Sequence, residues 1–67
     1  MKSNQDIRDY LKARRIKLYE VSDRIGISEV TLIRWMRTPL TAEHRRKVIA
    51  AIREITAEIE EMQTIVI

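Results

Sequence analysis

A chain of 67 residues, 45% of them apolar, has room for one small domain, whose core supplies only a few kcal/mol and gains from a partner. It has no cysteine and a single histidine, which excludes a disulfide framework and a thiolate metal site and gives no reason to expect a zinc site. No apolar run approaches the roughly 18 to 20 residues that span a bilayer, and no signal-peptide pattern opens the sequence, so a soluble, cytoplasmic protein is expected.

The net charge of +3 is unevenly spread. Residues 1–53 hold all 13 lysines and arginines against six acids, a net +7, whereas residues 54–67 hold four acids and no base. A basic body suits contact with phosphate, and an acidic tail should point away from it.

Ser3 or Asn4 can cap a first helix running to about Arg15, with Ile7, Tyr10 and Leu11 at i, i+3 and i+4 as one core-facing stripe. Ile16 should plug the core from within a basic connector of Arg14, Arg15 and Lys17. A second helix from about Leu18 to Ile25 buries Val21, Ser22 and Ile25 and turns Tyr19, Glu20, Asp23 and Arg24 outward. Gly26, the only glycine, ends it, because a helix that stops and redirects at once needs a left-handed residue. Ser28 then caps a third helix reaching about Arg37, ahead of Pro39, which biases Thr38 away from helical angles. On this helix Leu32, Trp35 and Met36 lie on one side and Val30, Ile33, Arg34 and Arg37 on the other. Both sides carry apolar residues, so periodicity alone leaves the buried side open. Two short helices around a tight turn form the pattern of a helix-turn-helix, whose second helix is carried on the surface to enter a DNA major groove.

Thr41 can cap a last helix, preceded by Leu40 as the apolar residue before the cap. His44, Arg45, Arg46 and Lys47 make its first turn basic, which is unfavourable at the positive end of the helix dipole and would be relieved by a nearby phosphate. His44 stands four residues before Val48 and should be half-buried. From Val48 the apolar residues fall at 48, 52, 55, 59, 62 and 66, a heptad seam. The globular body should be complete near Ile55, leaving Ile59, Met62, Ile65, Val66 and Ile67 to be covered by a partner. The run 64–67 is rich in β-branched residues and reads as either a helix end or a strand. A homodimer through Ile55, Ile59, Met62, Ile65 and Val66 is therefore expected.

Leu18–Arg37 resembles the helix-turn-helix of lambda-repressor/Cro-like regulators of phages, plasmids and mobile elements. The resemblance rests on Val21 and Ile25, then Gly26-Ile27-Ser28, then Leu32 and Trp35, and extends over roughly residues 5–55. Two positions depart from the family. Leu18 stands where a phosphate-contacting glutamine is usual, and Ser22 where a buried alanine is usual, so a hydroxyl must be satisfied close to the turn. The resemblance implies an all-α, four-helix domain over residues 1–56, followed by a helical or short-strand dimerisation extension over 57–67. It also implies that Leu32 and Trp35 are buried, which exposes Val30 and Ile33 beside the two arginines.

With residues 28–37 in the major groove, Ser28, Glu29, Val30, Thr31, Ile33, Arg34 and Arg37 are the candidates for base contact. Lys17, Tyr19, Arg14, Arg15, Thr38, Arg45 and Arg46 are the candidates for phosphate contact. Aliphatic groups suit thymine methyls and arginine suits guanine O6 and N7, while Glu29 serves the helix dipole or accepts from cytosine N4. The expected partner is double-stranded DNA on a symmetric operator, bound by a small repressor-like regulator with no cofactor, metal, membrane or small-molecule ligand. One alternative is an architectural or excision accessory protein that bends DNA. Another is a protein-binding helical module, such as an antitoxin or inhibitor, that uses Val30 and Ile33. No nucleophile stands beside a base and no glycine-rich phosphate loop is present, so no enzyme is expected.

Overall fold

Helices α1 (Gln5–Arg14), α2 (Leu18–Ile25), α3 (Glu29–Met36) and α4 (Ala42–Val66) follow one another through short connectors in the computed structural model. It describes residues 4–66, and their side chains through Met62. The architecture is all-α, with no strand among the described residues, so residues 64–66 end a helix despite their β-branched character. Helix α4 crosses the boundary expected at residues 56 and 57 without a break. At 1.5 Å per residue its 25 residues span about 37 Å, close to the longest dimension of the molecule, 41 Å.

The local signals act largely as written. Lys17 is extended, and its N–H donates to the Glu20 carboxylate at 2.8 Å, half of a capping box, since lysine has no acceptor for the other half. Gly26 sits at φ 90°, and the N–H groups of Gly26 and Ile27 both donate to the Ser22 carbonyl, at 2.9 and 3.1 Å. A Cβ there would meet nothing within 4 Å, so the backbone angle alone requires glycine. Ser28 Oγ accepts from the Thr31 N–H at 3.2 Å, and Thr41 Oγ1 accepts from the His44 N–H at 3.1 Å. The Ser22 hydroxyl, buried beside the turn, donates to the Tyr19 carbonyl at 3.0 Å. Helix α1 closes on Arg15 at φ 58°, a left-handed residue without being glycine, and the Ile16 N–H reaches back to the Leu11 carbonyl at 2.9 Å.

The core draws on every helix: Ile7 and Leu11 from α1, Val21 from α2, Leu32 and Met36 from α3, and Val48, Ala51, Ile52 and Ile55 from α4. Ile16 plugs it from the first connector.

Several residues lie elsewhere than their spacing implies. Tyr10 lies on the surface, where the Arg14 guanidinium sits 4.7 Å above its ring. Asn4 stands at the start of α1 at φ 61°, yet its side chain does not cap that helix. On α3 the fully buried pair is Leu32 and Met36, one turn apart on one face. Trp35 lies to the side of them, half-buried, and Ile33 is half-buried instead of exposed. Ile55 belongs to the core of its own domain and is not free for a partner.

Candidate nucleic-acid interface

With Leu32 and Met36 turned inward, the outward ridge of α3 is formed by Val30, Arg34 and Arg37 at i, i+4 and i+7. Val30 is 66% exposed, and the two arginines beside it are exposed and meet no carboxylate among the described residues. Ile33 and Thr31 flank the ridge, half-buried. The hydroxyls of Ser28 and Thr31 lie 2.8 Å apart and bond to each other, so two of the expected base-reading groups are already engaged in capping α3. Glu29 is exposed in the first turn, where a carboxylate favours the positive end of the helix dipole.

Several of the other cations are paired. Arg24 on α2 bonds to Glu58 on α4, and that carboxylate raises the guanidinium above its ordinary pKa. Arg45 on α4 donates to Asp6 on α1 at 2.6 Å, and this bond is the main cause of an Asp6 pKa below its ordinary value. Lys47 lies 3.6 Å from Glu43 one turn earlier. Of the phosphate candidates, then, Arg45 is drawn to α1 and Arg14 lies over Tyr10. Arg15, Lys17, Tyr19, Thr38 and Arg46 stand exposed on the connectors, on α2 and at the start of α4.

Two devices hold α3 in place. The Trp35 ring stacks on His44, with centroids 3.7 Å apart and planes within 6°, fixing the second half of α3 against the first turn of α4. His44 is half-buried, as its spacing from Val48 implied.

The second device lies at the C-terminal end. Asn4 Nδ2 donates to the carbonyls of Met36 at 3.2 Å and Thr38 at 2.9 Å, while Asn4 Oδ1 accepts from the Leu40 N–H at 3.3 Å. Arg8 Nη2 donates to the same Met36 carbonyl at 3.0 Å. Reasoning from sequence missed this clamp. Its partners lie 28 to 36 residues away, and no period or motif links them.

Among the described residues no group of histidines and carboxylates could hold a metal ion, and no helix is long and apolar enough to cross a membrane. No family model matches the chain, and no curated protein or solved structure is significantly similar to it.

Proposed function

We propose that the chain is a small sequence-specific DNA-binding regulator of the helix-turn-helix kind, related in fold to the lambda-repressor/Cro-like proteins, which inserts α3 into the major groove of duplex DNA. The observation that carries the proposal is the ridge of α3. A β-branched residue stands exposed between the turn and two arginines that meet no carboxylate among the described residues, on a molecule that pairs Arg24, Arg45 and Lys47 internally. An aliphatic group beside guanidinium groups matches the major-groove edges of thymine and guanine.

The protein acts as a homodimer. Past Ile55 the same face of α4 carries Ile59 and Met62, 37% and 65% exposed, above a groove of about 360 Å³ shared with α2. Glu58 at the edge of this face is held by Arg24, and the 100° helical step turns Glu54, Glu60 and Glu61 away from it. The unpaired acids of α4 thus stay off the seam of a second copy, although Glu20 and Asp23 of α2 line the same groove. The side chains of Ile65 and Val66, also expected at this seam, lie outside the described residues.

Selection of purified protein against random duplexes tests the reading. The expected outcome is a two-fold symmetric motif with half-sites about 34 Å apart, bound with an affinity that falls steeply as salt rises. No enrichment of any sequence, or a protein partner whose binding survives high salt, overturns it. Deleting residues 57–67 should leave a folded monomer that binds half-sites weakly, as measured by sedimentation. A truncated chain that keeps its oligomeric state excludes the tail as the dimer seam.

A further inference from the structure

The C-terminal end of α3 is closed from outside the helix. Arg37 after it is right-handed, so the left-handed residue that would fold the chain back over the last carbonyls is missing. Two residues further on, Pro39 has no N–H to offer. The last carbonyls of a helix carry partial negative charge and need donors. They find them on α1 and the residue just before it, where the guanidinium of Arg8 and the amide of Asn4 converge on Met36 O while Asn4 also takes Thr38 O and the Leu40 N–H.

Only an amide fits this place at residue 4. A carboxylate cannot donate to two carbonyls, and an ammonium cannot accept from Leu40. Asparagine also tolerates the left-handed backbone that residue 4 adopts, at φ 61°. Between the groups held by the clamp, Met36 and Leu40, lie Arg37, the last member of the outward ridge, Thr38 and Pro39.

We propose that Asn4 and Arg8 are positioning residues for the DNA-reading end of α3, which act by fixing where the Arg37 side chain leaves the backbone. The proposal rests on the DNA-binding reading and adds to it the residues that set the aim of one contact. Neither side chain needs to touch DNA. The clamp restricts Arg37 to one approach, so the preference it reads at its base position depends on two residues of a different helix.

The test uses the full chain and the motif recovered by selection. Asn4→Gly is the sharp variant, since glycine keeps the left-handed angle without strain and removes the amide, its only other effect being the greater freedom of the unfolded chain. A bidentate arginine discriminates by about 5- to 150-fold at its base, and Asn4→Gly should lower that ratio at least about twofold at the position Arg37→Ala affects, and at no other. In the double variant Asn4→Gly/Arg37→Ala the preference at that position should equal that of Arg37→Ala alone, because the clamp has nothing left to aim. Arg8→Ala should shift the same position, and Arg8→Lys should restore part of it. Ile55→Val, a core truncation on α4 outside the clamp, controls for lost stability and should weaken all sequences alike.

Uniform weakening by Asn4→Gly, full additivity with Arg37→Ala, or an Arg37→Ala profile identical to wild type overturns the inference while leaving the functional reading intact. A wild-type protein with no sequence preference overturns both.

Discussion

Helices α2 and α3 lie side by side in sequence and end in opposite ways. The end of α2 is self-contained: Gly26 turns left-handed, and its own N–H and that of Ile27 fold back onto Ser22 O. The end of α3 has no such residue. It depends on Asn4 and Arg8, 32 and 28 residues away from the carbonyl they share. A locally closed end survives whatever happens elsewhere, whereas a remotely closed end exists only while α1 is seated on the body. The first suits a turn that must keep a fixed shape. The second makes the last residues of α3 answerable to the packing of α1, and through Asp6 and Arg45 to α4 as well.

If both ends belong to one cooperative unit, a single core truncation should release them together, and this is the largest expected effect. Leu32, fully buried at the centre of α3, joins the two ends to the core. Leu32→Ala should cost about 2–5 kcal/mol, comparable with the whole stability of a domain this small, and should abolish both ends together in circular dichroism and in amide exchange. An end of α2 that stays protected after Leu32→Ala would show the unit to be divisible.

Next in size is the local end itself. Gly26→Ala should destabilise by about 1–2 kcal/mol through the left-handed angle alone, because the added methyl meets no atom. Gly26→Asn should cost less, asparagine being tolerant of that region. Equal losses for the two would point to a clash and not to backbone strain, and chemical denaturation of the pair separates the two causes. Arg15 offers the mirror experiment, since α1 ends on a left-handed residue that is not glycine. Arg15→Gly should stabilise by about 0.5–1 kcal/mol, the relief of strain less the greater unfolded-state freedom of glycine. Its DNA affinity then reports independently on the expected phosphate contact.

What could be read from the sequence divides along the same line. Gly26, Ser28 and Thr41 act within four residues of themselves, and each does what its chemistry announces. The 3.6-residue period placed Ile7, Leu11, Val21 and Val48 in the core, and it carried α4 past Ile55. Apart from Tyr10, which lies on the surface under a guanidinium of its own helix, the errors concern partners in other helices. Trp35 is the largest apolar side chain, yet its neighbour Met36 shares a face with Leu32 and takes the buried place, leaving the indole to stack on His44. Asn4, like Ser3, is of the type that caps a helix, and caps are local, but its amide serves another helix. Of the candidate site, the ridge of Val30, Arg34 and Arg37 was legible from spacing together with a resemblance that fixed the buried side. The pairing of Arg45 with Asp6 was not, because it depends on a distance that only the fold sets, whereas Ser28 and Thr31 are engaged by the local cap of α3.

The smallest expected effect bears on whether the remote end is also the condition-sensitive one. Asp6 opens α1 two residues after Asn4, and its bond to Arg45 ties that opening to α4 at 2.6 Å. The bond holds the folded-state pKa of Asp6 below its ordinary value of 3.8, so the pair contributes stability that is fully present above that value and is lost as the pH falls through the lowered one. Both side chains are exposed, so the contribution is small and should shrink as salt is raised. In a double-mutant cycle of Asp6→Asn and Arg45→Gln the coupling should be measurable near neutral pH and vanish in strong acid. If Asp6 seats the start of α1, the same titration should lower the exchange protection of the Leu40 amide, which is bonded to Asn4, more than that of Gly26 and Ile27, which are bonded to Ser22. Protection that falls equally at both ends, or a coupling that persists once Asp6 is protonated, would mean that the ion pair does nothing for the clamp and that the two ends differ in construction but not in response.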